Sequence, residues 1–226
     1  MSLFQQTALI LTSIWFVLVI VRFRRSSLVL IGGLFIIGAY TLVSFVYGKA
    51  TPAELGLGTP DSWLSTFGFA VLGLTIMLAY SPVADKVASR FFEKPPTLDA
   101  FGAIQESIGK LVAGILAAWV LGGILEELIV RGIVLMSVEA LLTNWMVKPI
   151  ATVIAILAAI GAGLVHAYQD PRAMVIITQL SILFGILFVV SGYNLWTVII
   201  CHGLYDTIAF TRFANKKSKY SNLSRS

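Results

Sequence analysis

The feature that most constrains this chain is a succession of apolar runs, each about as long as the hydrocarbon core of a bilayer is thick. A helix needs roughly 20 residues to cross a core of about 30 Å. Seven runs answer to that description, at about 5–22, 27–47, 62–81, a long one from near 111 to 136–142, then 148–167, 173–191 and 193–213. Lipid offers peptide N–H and C=O groups no partner, so each run must close its own backbone hydrogen bonds as a helix. The expected fold is all-α, a polytopic transmembrane bundle of about seven spans. Composition points the same way: of 226 residues 58% are hydrophobic and only 12% charged, about half the charged share of a soluble domain.

The placement of charge orients the bundle. Arg22, Arg24 and Arg25 follow the first apolar core instead of preceding it, so this run reads as an anchor and not as a cleavable signal. Basic residues then alternate between sides. One side receives those three arginines, Lys86, Arg90, Lys94 and Lys110, then Arg172, then Arg212, Lys216, Lys217, Lys219 and Arg225; the other receives only Lys49 and Lys148. The positive-inside rule places the N-terminus outside and the C-terminus in the cytoplasm.

A net charge of +5 carried at the ends of apolar segments, with no basic face, excludes nucleic acid as a partner and suits anionic headgroups. The single cysteine, Cys201, supplies neither a disulfide framework nor a cysteine metal motif. The largest connection, Pro82 to about Lys110, has room for one or two interfacial helices, with Phe91, Phe92, Phe101 and Ile104 dipping toward the headgroups. Trp63, Trp145 and Trp196 fall near span ends, where indoles prefer the interface.

Ionisable side chains inside a span are costly and are functional candidates by default. There are six: Glu126, Glu127, Arg131, His166, His202 and Asp206, including both histidines of the chain. Packing by polar side chains is the bland alternative. Residues four apart share a helix face, while neighbours diverge by about 100°. Glu127 and Arg131 are therefore expected to pair, and pairing offsets most of the penalty of a buried charge. Glu126 points elsewhere, with no basic residue at either helical neighbour, and is left available as a general base. On the last span His202 and Asp206 are also four apart, and a histidine oriented by a carboxylate can serve as an oxyanion donor or a metal ligand.

Glu126-Glu127-x-x-x-Arg131, a histidine at a helix end, His166, and His202-x-x-x-Asp206 together resemble the CPBP family, the CAAX-processing and bacteriocin-processing intramembrane proteases also called the Abi family. The resemblance covers about residues 105–210, and the Glu-Leu-Gly-Leu run at 54–57 is in keeping with it. It implies an N-terminal unit of three transmembrane helices and a cytoplasmic interfacial loop at 1–104, a catalytic core at 105–213 and a polar basic tail at 214–226. It implies that Glu126 activates water with the help of His166, that Glu127 and Arg131 support the site, and that His202 and Asp206 stabilise the oxyanion. Many members carry asparagine where Asp206 stands. Alanine at 162 departs from the usual Phe-x-x-x-His pattern.

The activity so implied is hydrolysis of a peptide bond in a membrane-embedded or membrane-associated peptide, within a bacterial cytoplasmic membrane, by a glutamate-dependent hydrolase. No cofactor is expected. The closest rival is a divalent metal such as zinc on Glu126, His166, His202 and Asp206, since two histidines and two carboxylates suffice for a tetrahedral ion, although no His-Glu-x-x-His helix is present. A retinal pigment is excluded because the run 193–213 contains no lysine for a Schiff base. A catalytically silent scaffold or bacteriocin-immunity protein of the same fold is the remaining alternative. The expected topology is checked with phosphatase fusions: a C-terminal fusion should be inactive, and periplasmic activity would overturn the orientation.

Overall fold

The computed structural model describes residues 1–22, 27–96, 99–158, 160–161, 163, 166 and 169–223. Arg24, Arg25, Arg225 and the motif position Ala162 lie outside the described residues. The chain forms helices α1 (Leu3–Arg22), α2 (Ser27–Val46), α3 (Trp63–Ser89), α4 (Ile108–Leu142), α5 (Lys148–Ala158), α6 (Pro171–Val190) and α7 (Leu195–Leu223), with short 3-10 turns at Pro52–Leu55 and Asp99–Gln105. Among the described residues there is no strand, so the all-α expectation holds.

Helix starts follow from local chemistry. The Ser62 and Ser107 hydroxyls accept the backbone N–H groups of Ser65 and Lys110, both at 3.2 Å, and open α3 and α4. Asp170 accepts from Ala173 N–H at 2.7 Å, with Pro171 at the first helical position of α6. Each cap satisfies an otherwise orphaned N–H group.

Five helices, α1, α2, α3, α4 and α6, are long and apolar enough to cross a membrane. The two other expected spans differ for separate reasons. Within the run at 148–167 the continuous described helix is Lys148–Ala158, 11 residues long. In α7 the apolar stretch carries His202 and Asp206, which lower its mean hydropathy.

The third helix also outruns its expected end at 81, continuing through Pro82 to Ser89. A membrane bundle tolerates such a proline because its neighbours re-satisfy the freed backbone. The extension carries Asp85, whose carboxylate meets the Arg172 guanidinium at 2.7 Å and ties α3 to the start of α6. In the connection that follows, Asp99–Gln105 folds under α7 instead of lying among headgroups. Phe101 packs on Phe210 with ring centroids 5.3 Å apart, Gln105 donates to the Phe213 carbonyl at 2.9 Å, and Ile104 is buried. Phe91 and Phe92 remain exposed. The cause is α7 itself, whose residues Phe210 and Phe213 offer these side chains a protein surface. Trp196, expected as an interface anchor, packs on Trp63 at 6.1 Å and donates to the Leu57 carbonyl at 3.3 Å.

α4 is the central element. Its segment Leu128–Leu135 is buried at every position, enclosed by α1, α2, α5, α7 and the turn at Pro52–Leu55. Apart from Arg131 the segment is apolar on every side, and such a helix belongs in the interior. Two glycines set its approach to α7. Gly203 lies under the Trp119 ring, where an added Cβ would come within 2.4 Å of ring carbons, and Trp119 Nε1 donates to Thr207 Oγ1 at 3.0 Å beside it. Gly56, at φ +74°, accepts the Leu195 N–H at 2.8 Å and so docks the Glu-Leu-Gly-Leu turn onto the first residue of α7. At the far end of α4, buried Glu139 accepts the Tyr193 hydroxyl at 2.7 Å and a Thr152 hydroxyl, holding the turn that precedes α7.

Gly203→Ala should overpack the Trp119 contact and destabilise the protein by about 1–3 kcal/mol. Gly68→Ala, with no heavy atom within 4 Å of the new methyl, should be neutral or slightly stabilising. Unfolding of the purified variants in detergent measures both.

Candidate active site

Along α4, Trp119–Glu126 and Leu128–Leu135 adopt the wide π-helical hydrogen-bonding pattern on either side of Glu127. Such stretches are rare and recur at functional sites. The Gly122-Gly123 pair inside the first of them weakens the regular α-helix it replaces. The sequence reading assumed α-helical spacing here, and the change leaves its main consequence intact: the two adjacent glutamates part company. Glu127 is fully buried, whereas the Glu126 side chain keeps 18% of its surface exposed.

Glu127 meets Arg131 as its spacing predicts, with Nη1 at 3.1 Å from Oε1 and 3.0 Å from Oε2. The guanidinium is itself 1% exposed, and its Nη2 donates to both the carbonyl and the hydroxyl of Ser181 on α6, each at 2.7 Å. Its face lies 5.4 Å from the centroid of the Phe184 ring. Within this pair Arg131 Nε and Glu127 Oε2 are buried without a hydrogen-bond partner, so the Coulombic attraction between the two groups and the Ser181 contacts must offset their desolvation.

The sequence reading gave Glu127 one partner, and the structure gives it two. Its Oε1 lies 2.6 Å from Nδ1 of His202, a charge-assisted contact between α4 and α7. The His202 ring stacks on Phe184 with centroids 4.8 Å apart, so one phenyl ring supports both the guanidinium and the imidazole. The His202–Asp206 pairing is present but longer, 3.5 Å from Nε2 to Oδ2. Glu126 Oε2 stands 3.7 Å from Nε2 of His166. The sequence boundaries put His166 nearer the cytoplasmic end of its span than Glu126; the length of α4, 35 residues or roughly 50 Å, lets its middle meet that end. Glu126 is within electrostatic reach of both His202 and Asp206, and His166 of Asp206.

All six intramembrane candidates therefore gather between α4, α7 and the chain leading into α6. Ser181 and Phe184 complete the arrangement and were absent from the sequence reading. They are 50 or more residues from Arg131, and the one signal for them is a serine and an aromatic three apart on α6, a pattern common in any apolar helix. Among the described residues no three His, Cys, Asp or Glu side chains converge as a metal-holding group. The four residues of the zinc alternative are arranged as two pairs, Glu126 with His166 and His202 with Asp206.

The family model described as type II CAAX prenyl endopeptidase Rce1-like matches residues 108–208. Over this segment the chain is similar to that family. The match begins at the first residue of α4 and contains Glu126, Glu127, Arg131, His166, Ser181, Phe184, His202 and Asp206. It agrees with the resemblance carried by the three motifs, and with hydrolase and protease as the class of this membrane protein. No match is found among curated proteins or solved structures.

The environments of the two glutamates set opposite expectations within this Rce1-like core. Glu127→Gln leaves a buried guanidinium without its counter-charge and should destabilise the protein by about 3–5 kcal/mol. Glu126→Gln should fold as stably as the parent and lose turnover. Thermal unfolding and a proteolysis assay on both variants check this; a stable, inactive Glu127→Gln beside an unstable Glu126→Gln would reverse the assignment.

Proposed function

We propose that this Rce1-like protein hydrolyses a peptide bond of a membrane-associated peptide by a glutamate-activated water, without a metal. The observation that supports this most directly is the division of labour at Glu126 and Glu127, one open to a histidine and the other sealed into an ion pair. Hydrolysis needs an activated water, a stabiliser for the tetrahedral oxyanion and a proton for the leaving amine. Water held between Glu126 and His166 attacks the carbonyl carbon as Glu126 takes its proton. The C–N bond then breaks and Glu126 returns that proton to the leaving nitrogen.

His202 faces the developing oxyanion through Nε2. Because Nδ1 donates to Glu127, a form of His202 that also donates from Nε2 is the doubly protonated imidazolium. Arg131 keeps Glu127 as the acceptor that this form requires. Asp206, 3.5 Å from Nε2, orients the ring and does not contact the oxyanion itself.

The substrate class follows from the family and the setting. Glu126 and Glu127 sit midway along α4, which is long and apolar enough to cross a membrane, and the family description names a CAAX prenyl endopeptidase, so a prenylated peptide ending in a CAAX sequence is the first substrate to test. The protein sits in a bacterial cytoplasmic membrane with its C-terminus in the cytoplasm, where the site receives substrate from the cytoplasmic leaflet.

Purified protein in lipid nanodiscs is incubated with a farnesylated CAAX-terminated peptide, and products are read by mass spectrometry. Cleavage should persist after chelation and fall by about 10²-fold or more in Glu126→Gln. Cleavage lost on chelation and restored by zinc would overturn the metal-free step. A Glu126→Ala variant that fully complements a deletion strain would favour a silent scaffold or immunity protein.

A further inference from the structure

The exposed side of α3 changes character toward its C-terminal end. Leu72, Ile76 and Val83 share one side of the helix and are each about half exposed. Lys86 and Arg90 continue that side and are exposed, whereas Ala84 and Ala88, opposite Lys86, are fully buried. From Trp63 to Val83 the helix rises about 30 Å, the thickness of a hydrocarbon core. The switch from apolar to basic side chains thus falls where the helix leaves the lipid. Beyond it Phe91, Phe92 and Lys94 are exposed as well.

The charge at this end is one-sided. Asp85 is committed to Arg172, which donates to its Oδ1 from Nε at 2.9 Å and approaches it with Nη2 at 2.7 Å. Arg172 Nη1 also donates to the Glu93 carbonyl at 3.0 Å, pinning the strap after α3 to the start of α6. Between Lys86 and Pro96 the only carboxylate in the sequence is Glu93. Among the described residues the Lys86, Arg90 and Lys94 side chains form no ion pair.

We propose that the C-terminal end of α3 is a binding site for an anionic phospholipid, with its phosphate at Lys86, Arg90 and Lys94 and its acyl chains along Val83, Ile76 and Leu72. The stripe from Val83 to Leu72 is about 16 Å long, half the core and so the depth of one leaflet. A partner anionic at one end and apolar for that length matches both halves of the surface; an acidic peptide matches only the cations. A zwitterionic lipid brings its own cation to the basic cluster and gains less from it. None of these residues belongs to the hydrolytic site, so the lipid site stands or falls independently of the proposed activity.

Purified full-length protein in detergent is titrated with phosphatidylglycerol and, separately, with phosphatidylcholine of the same acyl chains, and bound lipid is followed by native mass spectrometry. The parent is compared with a Lys86→Gln, Arg90→Gln, Lys94→Gln variant. A Lys216→Gln, Lys217→Gln, Lys219→Gln variant is the control, because it removes equal charge from the side of the membrane to which the positive-inside pattern assigns both clusters. Phosphatidylglycerol should bind the parent at least tenfold more tightly than phosphatidylcholine. The α3 variant should lose at least tenfold for phosphatidylglycerol and stay within about twofold for phosphatidylcholine, while the tail variant keeps the parent's preference. Phosphatidylglycerol with a photoactivatable headgroup should label the segment Lys86–Pro96 of the parent, a result that does not depend on any variant folding. Absence of a lipid preference in the parent, equal losses in the two variants, or labelling confined to other segments would overturn the proposal. Tighter binding of a polyglutamate peptide than of phosphatidylglycerol would overturn it in favour of a protein partner.

Discussion

The arrangement depends on one buried carboxylate. Glu127, with no exposed surface, holds Arg131 on its own helix and His202 on α7, and through Arg131 it reaches Ser181 on α6. Three helices are thereby fixed at one point within the bundle. Burying a full ion pair contributes little net stability compared with apolar packing, but breaking one side of it is expensive. In a bundle whose helix faces are mostly apolar, such a directional junction specifies register. It sets the height and rotation of α7 against α4, and with them the direction in which His202 Nε2 points.

The apolar packing around that junction is shaped to let it form. Gly203 under Trp119 and Gly123 beside Ile199 bring the α4 and α7 backbones close enough for a 2.6 Å contact between Glu127 and His202. Small residues serve this purpose in membrane helices because lipid supplies no hydrophobic force to press helices together. The π-helical turns around Glu127 reorganise the α4 backbone at the same place. Phe184 then supplies a flat apolar surface against which both the guanidinium and the imidazole are held.

Glu126 profits from this rigidity without taking part in it. Its neighbour is bound to α6 and α7, so the α4 backbone cannot rotate to bury Glu126, and its carboxylate stays beside His166. A general base performs well when its partners are held in place before substrate arrives. The Asp85–Arg172 pair adds a similar constraint at the start of α6, next in the chain to the segment that carries His166.

Much of this was legible in the sequence. Helical spacing forced Glu127 and Arg131 together and turned Glu126 away from them, and the cost of charge in lipid marked all six ionisable residues as a group. The apolar runs announced an all-helical membrane protein, because backbone satisfaction in lipid depends only on local bonding. Contacts between spans were not legible. The Glu127–His202 bond, the Arg131–Ser181 bond and the Arg131–Phe184 contact join residues 50 to 75 positions apart, and apolar helices can pack in many registers that a one-dimensional pattern does not distinguish. The connection after α3 is not legible for the same reason: Phe101 and Ile104 suit lipid or protein equally well, and only the presence of α7 decides between them. Sequence determined which residues the membrane would force into partnership along each helix, whereas the close approach of the helices decided which partners they found across it.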